Sequence, residues 1–425
     1  MKTSLPRHIA LPLVIAIALL GAISPLAVAG DRHAQSDTDG TPAVSLSAVY
    51  SSDDGAFMGR YIALDPDTLA DREGVEPLKL GAPTWQSVVS ADGSTMVAIK
   101  GGQVPGIVVW DARTGEKRGH FEPPGPVFEP VLSRDGSRLV ASDFTCCDMT
   151  RHPVWYVLDT ADGRLITEVE AREPDRWANL PGDIPPELID PEARNLYRLV
   201  VPSSEDDDGP RPVTLVAYDL TTGEERGRLA LPEVLGGSWP TERIVRGEPV
   251  EDHLTPGFAL SPDGRSVAIV HADTQKVTLV DAGALTVTKT IIPEPEVSRL
   301  DRFLGFLSLA PRTAVAKVGS EGPTVRAVFA PDGRELYVYG TKHVVTDDGL
   351  SGQRGLGLTR INLDTGTIEV EALSGKRLSD VIPAPDGETL YVLNGSLLYR
   401  LTAETLSVEA ERFFATLTRV FVAPA

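Results

Sequence analysis

Cys146 and Cys147 are the only two cysteines in a chain of 425 residues, and Asp148, Met149 and His152 follow within a few positions. An adjacent thiol pair supports three chemistries. In an oxidising compartment it closes a strained vicinal disulfide or forms intermolecular links. In a reducing one it stays as two inert thiols. With the thioether, imidazole and carboxylate beside it, it offers ligands to a soft metal. The vicinal disulfide is the expectation, and no metal site is assigned, because ligands close in sequence do not by that fact converge on one point. Other reactive residues lack the spacing that chemistry needs. There is no Cys-x-x-Cys-His for haem attachment, no Gly-x-Ser-x-Gly nucleophile elbow and no His-Glu-x-x-His zinc helix. Histidines 33, 120, 152, 253, 271 and 343 are scattered. The run Glu205-Asp206-Asp207-Asp208-Gly209 lacks the alternating ligands of a calcium loop. It reads as a solvated hairpin tip between predicted strands at 197–201 and 213–219. No catalytic residue and no cofactor is assigned.

A second candidate is apolar. Val297, Leu300, Leu304 and Leu307 recur at helical spacing, Pro295 suits a helix start and Pro311 a stop. A short helix near 296–310 is predicted. Phe303 and Phe306 widen its apolar surface beyond one stripe, so Val297, Leu300, Phe303, Leu304, Phe306 and Leu307 are expected to cover the parent domain or to contact a partner.

The elements that must carry these residues are read from a repeat. Short β-rich runs flank Asp-Gly turns at 92–93, 135–136, 263–264, 332–333 and 386–387, with a looser copy around Asp190. Each turn suits a hairpin, since Asp bonds back to nearby backbone and Gly accepts positive φ. A second turn trails each copy: Asp111-Ala112-Arg113-Thr114-Gly115, Asp159 to Gly163, Asp219 to Gly223, Asp281-Ala282-Gly283, and Asn362-Leu363-Asp364-Thr365-Gly366, with a degenerate copy at Leu401-Thr402-Ala403-Glu404-Thr405. Two hairpins and a variable loop make a four-stranded blade. Turn aspartates at 92, 135, 190, 263, 332 and 386 mark six blades. The seventh is split: strands near 45–51 and 59–65 lack a first strand, and 418–424 resembles the run that precedes the turns elsewhere. The reading is an all-β, seven-bladed β-propeller of four-stranded blades. Its ring is closed by N- and C-terminal strands, which leaves no open edge at the join. Inserts at 171–189, 231–256 and 293–322 are the loops where function would sit.

The Ser/Ala-Pro-Asp-Gly turns at 261–264, 330–333 and 384–387 and the Leu-Tyr-Val strands at 336–338 and 390–392 carry a resemblance to the bacterial YVTN and WD-repeat-like propellers. It covers nearly all of 43–425 and implies fold, not activity. Trp110-Asp111 occurs once and no Gly-His repeats, so the eukaryotic WD-repeat subtype is not indicated. Vicinal cysteines and turns like 111–115 also resemble pyrroloquinoline quinone dehydrogenases. Those carry a Trp shortly after the Thr-Gly, which 116–120 lacks, so no quinone cofactor is implied.

Three domains are expected: a signal peptide at 1–29, a flexible leader at 30–42 and the propeller at 43–425. Lys2 and Arg7 precede an apolar run from Ile9 to Ala22, and Ala27-Val28-Ala29 suits signal peptidase. The chain carries 60 acidic and 40 basic side chains, a net −20. Cleavage after Ala29 removes two cations and gives −22. That surplus excludes nucleic acid, whose phosphates need cations, and disfavours anionic lipid. A membrane enters only if the N-terminal segment stays uncleaved. The expected protein is secreted or held in the cell envelope. It is read as a non-enzymatic propeller that binds an unknown protein, peptide or glycan through its blade-connecting loops. The alternatives are a propeller enzyme using the central channel, lactonase-like or redox, and an envelope-tethered structural protein.

Overall fold

The computed structural model describes residues 44–51, 58–83, 87–100, 106–122, 127–143, 154–171, 187–201, 209–245, 248–295, 324–345, 351–414 and 417–424. All of these fall in one compact unit, Pro42–Ala425. Cys146, Cys147, the predicted helix near 296–310 with all six of its apolar contact residues, and the predicted signal peptide and leader lie outside the described residues. Among the described residues there is no helix.

Their strands form seven sheets. Blade 1 joins Leu417–Pro424 to Val44–Ser51, Met58–Leu64 and Leu78–Pro83. Blade 2 is Ser87–Val89, Thr95–Lys100, Gly106–Asp111 and Lys117–Phe121. Blade 3 is Phe128–Leu132, Arg138–Ser142, Val154–Asp159 and Leu165–Glu170. Blade 4 runs Glu187–Ile189, Asn195–Val200, Arg211–Asp219 and Glu225–Val245. Blade 5 is Gly257–Leu260, Ser266–Val270, Val277–Asp281 and Thr286–Ile291. Blade 6 is Thr324–Phe329, Glu335–Val345, Ser351–Asn362 and Thr367–Ala372. Blade 7 is Asp380–Pro383, Thr389–Asn394, Leu397–Thr402 and Val408–Phe413. The expected ring closure is present: Leu417–Pro424 lies antiparallel to Val44–Ser51, with Ala48 opposite Val420.

Two blades exceed the expected four strands. In blade 4 the insert predicted at 231–256 is a β-hairpin, because Glu225–Val245 runs on past the sheet and turns back as Glu248–Leu254. In blade 6 Glu294–Pro295 adds a two-residue parallel strand beside Thr367–Ala372.

Strand position dictates composition. Second and third strands are buried on both faces by neighbouring blades, so they read as unbroken apolar runs, as in Gly106–Asp111 and Val154–Asp159. Fourth strands form the rim and are largely exposed, as in Lys117–Phe121 and Thr286–Ile291. First strands of several neighbouring blades approach one another around the axis, as Gly257–Leu260 approaches Thr324–Phe329 and Asp380–Pro383 approaches Leu417–Pro424.

The turns hold by local chemistry. In blade 3 the Ser133 hydroxyl donates to Asp135 Oδ1 (2.7 Å), which also accepts from Ser137 N–H (3.0 Å), while Gly136 sits at φ 68°. Blade 4 corrects the sequence reading. Asp190 is not its turn aspartate but stands where the other blades have serine; Glu192 takes the Asp place and Ala193, at φ 50°, the Gly place. Asp190 Oδ1 accepts from the N–H groups of Arg194 and Asn195 and so does both jobs. In blade 6 Asn362, rather than Asp364, caps the second turn by accepting from the N–H groups of Asp364 and Thr365. Leu69 and Leu406 also adopt positive φ. Both are buried, and burial of a leucine outweighs the left-handed penalty of roughly 1–2 kcal/mol.

Basic side chains join blade to blade. Arg138 donates to the Ala193 carbonyl, Arg226 to Gly283, Lys289 to Leu363, Arg360 to Ala403, Arg412 to Leu69 and Arg419 to Ser87. Among the described residues, six of the seven junctions are bridged in this way. Between blades 2 and 3 the Asp92 N–H donates to the Arg134 carbonyl at 3.1 Å. A cationic donor gains roughly 1.5–3 kcal/mol where shielded and less where water reaches it.

Candidate functional site

A repeat separates structural charge from functional charge. A charged group held by its own or a neighbouring blade serves the scaffold. In blade 6, Arg360 pairs with Glu369 (3.1 Å) beneath Tyr337, and burial pushes the Tyr337 phenol up to about 12. In blade 7, Arg400 pairs with Glu409 beneath Tyr391, whose phenol burial likewise pushes to about 12. Both clusters belong to the scaffold. So does Arg198, fully buried in blade 4, whose guanidinium lies 5.0 Å from the Trp155 ring of blade 3; Trp155 Nε1 donates to Glu187 (2.8 Å). His271 is buried and shares a hydrogen bond with Thr278 (2.9 Å); burial holds its imidazole below the ordinary range and keeps it neutral. His253 lies 3.2 Å from the Thr324 hydroxyl.

The two ends of the axis differ. First-to-second and third-to-fourth turns leave one end of every blade, and they are short. At that end a cavity of about 220 Å³ is lined by Arg134, Asp190, Pro191, Ser261 and Pro262 among others. Arg134 crosses it, with its N–H on the Pro191 carbonyl and its guanidinium on the Pro262 carbonyl, both at 2.7 Å. Asp190 is committed to its own turn. These hydrogen bonds tie blades 3, 4 and 5 together at this end.

The other end carries a cluster of charge. Six residues before the turn residues Asp332 and Asp386 stand Arg326 and Asp380, each near the far end of its innermost strand. Arg419 takes the corresponding place in blade 1, pairing with Val49 as Asp380 pairs with Leu393. Blade 5 has Gly257 there; a Cβ would crowd Val270 and Val325. The same offset falls on Gln86, Glu129 and Pro186, whose side chains lie outside the described residues. Three adjacent blades thus present Arg, Asp and Arg at one level around the axis.

Asp380 is half-buried. Its Oδ1 accepts from Val381 N–H (2.9 Å) and, at 3.4 Å, from the buried Tyr339 hydroxyl; its Oδ2 has no protein hydrogen-bond partner among the described residues. Burial raises the Asp380 carboxyl above the usual carboxylate range, against the pull of Arg326, the Val381 N–H and Arg419. Tyr339 is held well above the phenol range by burial and by Asp380. Arg326 is exposed, donating one N–H to the Ser379 carbonyl at 3.2 Å. Arg419 is half-buried and reaches the Ser87 carbonyl at 3.1 Å. The arrangement offers an anion a guanidinium fork and offers a hydroxyl a carboxylate oxygen.

Sequence reasoning singled out none of these residues. A charged residue on a strand reads as solvated surface, and only the shared offset from the turns distinguishes them. Among the described residues no group of His, Cys, Asp and Glu could hold a metal ion, and no helix is long and apolar enough to cross a membrane.

No family model matches the chain, and no curated protein matches its sequence. Solved structures share its fold. One is a periplasmic gluconolactonase of Pseudomonas aeruginosa, 12% identical with a TM-score of 0.53, over 89% of this chain and 99% of that one. Another is a eukaryotic initiation factor at 11% identity and a TM-score of 0.45, over 90% and 99%. A third is the β-propeller domain of Myceliophteria thermophila Cps50, at 14% and 0.42, over 78% and 86%. At such identities the likeness is one of fold alone.

Proposed function

We propose that the protein is an exported, non-enzymatic binding propeller that takes a protein, peptide or glycan at the axial end opposite the Asp-Gly turns. The observation that supports this is that Asp380, with Oδ2 met by no described protein donor, stands between Arg326 and Arg419 at one level around the axis. The connections between second and third strands and between blades leave the strands at the same end. Mixed peptide and glycan arrays probed with the wild-type protein and with an Arg326→Gln/Asp380→Asn double variant test the reading. Hits that vanish in the folded double variant support it; hits unaffected by it place binding elsewhere.

A second reading keeps the same residues. Asp380, a carboxyl held protonated toward higher pH beside a guanidinium, is the kind of acid that hydrolases use. One fold likeness, at a TM-score of 0.53, is to a gluconolactonase. Proton release from a sugar δ-lactone in a pH-stat, lost in Asp380→Asn, would favour this lactonase-like enzyme over a binder. Export and tethering are read from residues 1–29. Intact mass of the protein recovered outside the cytoplasm separates a cleaved chain from an envelope-tethered one. In an oxidising compartment Cys146 and Cys147 are expected to resist thiol labelling under denaturing, non-reducing conditions.

A further inference from the structure

We infer that the axial mouth binds a uronate sugar, with its carboxylate on Arg326 and a ring hydroxyl on Asp380. The inference rests on the binding reading above and names its ligand class. Charge comes first. At this level the described side chains carry two guanidinium groups and one carboxylate, a sum of +1, within a chain of −20. One monoanionic group balances it. A cation meets two arginines, and a phosphate dianion overshoots the local charge beside Asp380. A dense polyanion is repelled by the chain as a whole.

Geometry selects the carboxylate. Arg326 spends one N–H on the Ser379 carbonyl and is otherwise exposed, so a planar fork remains for two parallel hydrogen bonds. Arg419 is committed to the Ser87 carbonyl and acts on the site through its charge. The hydroxyl requirement comes from Asp380. Two donors already bind its Oδ1, and Oδ2 is left to accept one more. A simple fatty or keto acid leaves that oxygen unmet, and a neutral sugar leaves Arg326 unmet. A carboxylate and hydroxyls on one rigid ring satisfy both groups.

Isothermal titration of the full chain with D-glucuronate, D-glucose, acetate and inorganic phosphate tests this. Glucuronate is expected to bind at least tenfold more tightly than each of the other three. Arg326→Gln should weaken glucuronate about tenfold or more, and Arg326→Lys, which keeps the charge and loses the fork, should fall between. Arg326 is exposed, so both variants are expected to fold. Arg228→Gln, on the rim of blade 4, should titrate like the wild type. Asp380→Asn should narrow the preference for glucuronate over acetate. Equal affinity in wild type and Arg326→Gln, phosphate binding as tightly as glucuronate, or no glucuronate heat at all overturns the inference. Array ligands that bind with sensitivity to the double variant, beside a failed glucuronate titration, leave the binding reading standing and remove only the ligand class. Loss of both removes both.

Discussion

Deleting residues 417–425 opens the ring at one defined place. Leu417–Pro424 covers the strand Val44–Ser51, where Val44, Leu46 and Val49 are 5%, 1% and 0% exposed. Fully burying such a side chain contributes roughly 1.5–3 kcal/mol. Uncovering about half of each therefore costs about 2–5 kcal/mol, before the lost ladder hydrogen bonds and the lost Arg419–Ser87 bridge are counted. Ordinary domains have only about 5–15 kcal/mol in all. With an unfolding entropy near 2.1 cal/mol/K per residue over Pro42–Ala425, that loss lowers the melting temperature by about 3–6 °C. Circular dichroism melts of the truncated and full chains measure it. A synthetic peptide of residues 416–425 added to the truncated chain should restore part of the loss, because the vacated edge offers an unpaired ladder. An unchanged melting temperature after truncation refutes the closure and the burial argument together.

Other expectations follow from single residues. Gly355→Ala should destabilise by about 1–3 kcal/mol or more in urea melts, because a Cβ there overlaps the Lys376 carbonyl and backbone cannot yield as a side chain can. Acid should unfold the ring through its turns. The Ser137 N–H and the Ser133 hydroxyl hold Asp135 below 3.8, and the Ser261 hydroxyl and the Arg265 N–H hold Asp263 below 3.8. Their stabilisation is present above the unfolded value of 3.8 and is lost as pH falls through the lower folded values, so Asp135→Asn should flatten the melting profile below pH 3.8. Asp380 has the opposite sign. Its folded value is raised, so ionisation costs stability above 3.8, and Asp380→Asn should melt higher than wild type at neutral pH and converge with it in acid. Parallel melts from pH 7 to pH 2 check both.

The repeat was legible because tight turns demand particular residues. Asp-Gly at 135–136 and 263–264 announces a hairpin, and a terminal run at 418–424 with no turn after it announces a borrowed strand. The turn residue of blade 4 was misplaced because Asp190 performs the work of a serine and an aspartate, and Ala193 accepts a conformation normally left to glycine. The extension of Glu225–Val245 was hidden because an insert with scattered prolines gives no β alternation. The site was not legible for a different reason. Arg326 lies 54 residues before Asp380 and Asp380 lies 39 before Arg419, and only the stacking of successive blades sets their innermost strands side by side. Nor does sequence show that so many arginines end on a neighbouring blade's carbonyl, since an acceptor without a side chain leaves no trace.

The central claim is that function resides at the axial end marked by Arg326, Asp380 and Arg419. Hydrogen–deuterium exchange of the full chain, with and without saturating D-glucuronate, tests it most directly. The account predicts added protection concentrated in Thr324–Phe329, Asp380–Pro383 and Leu417–Pro424. Protection confined to the opposite end, at 133–137, 190–194 and 261–265, or spread along the rim strands, contradicts it.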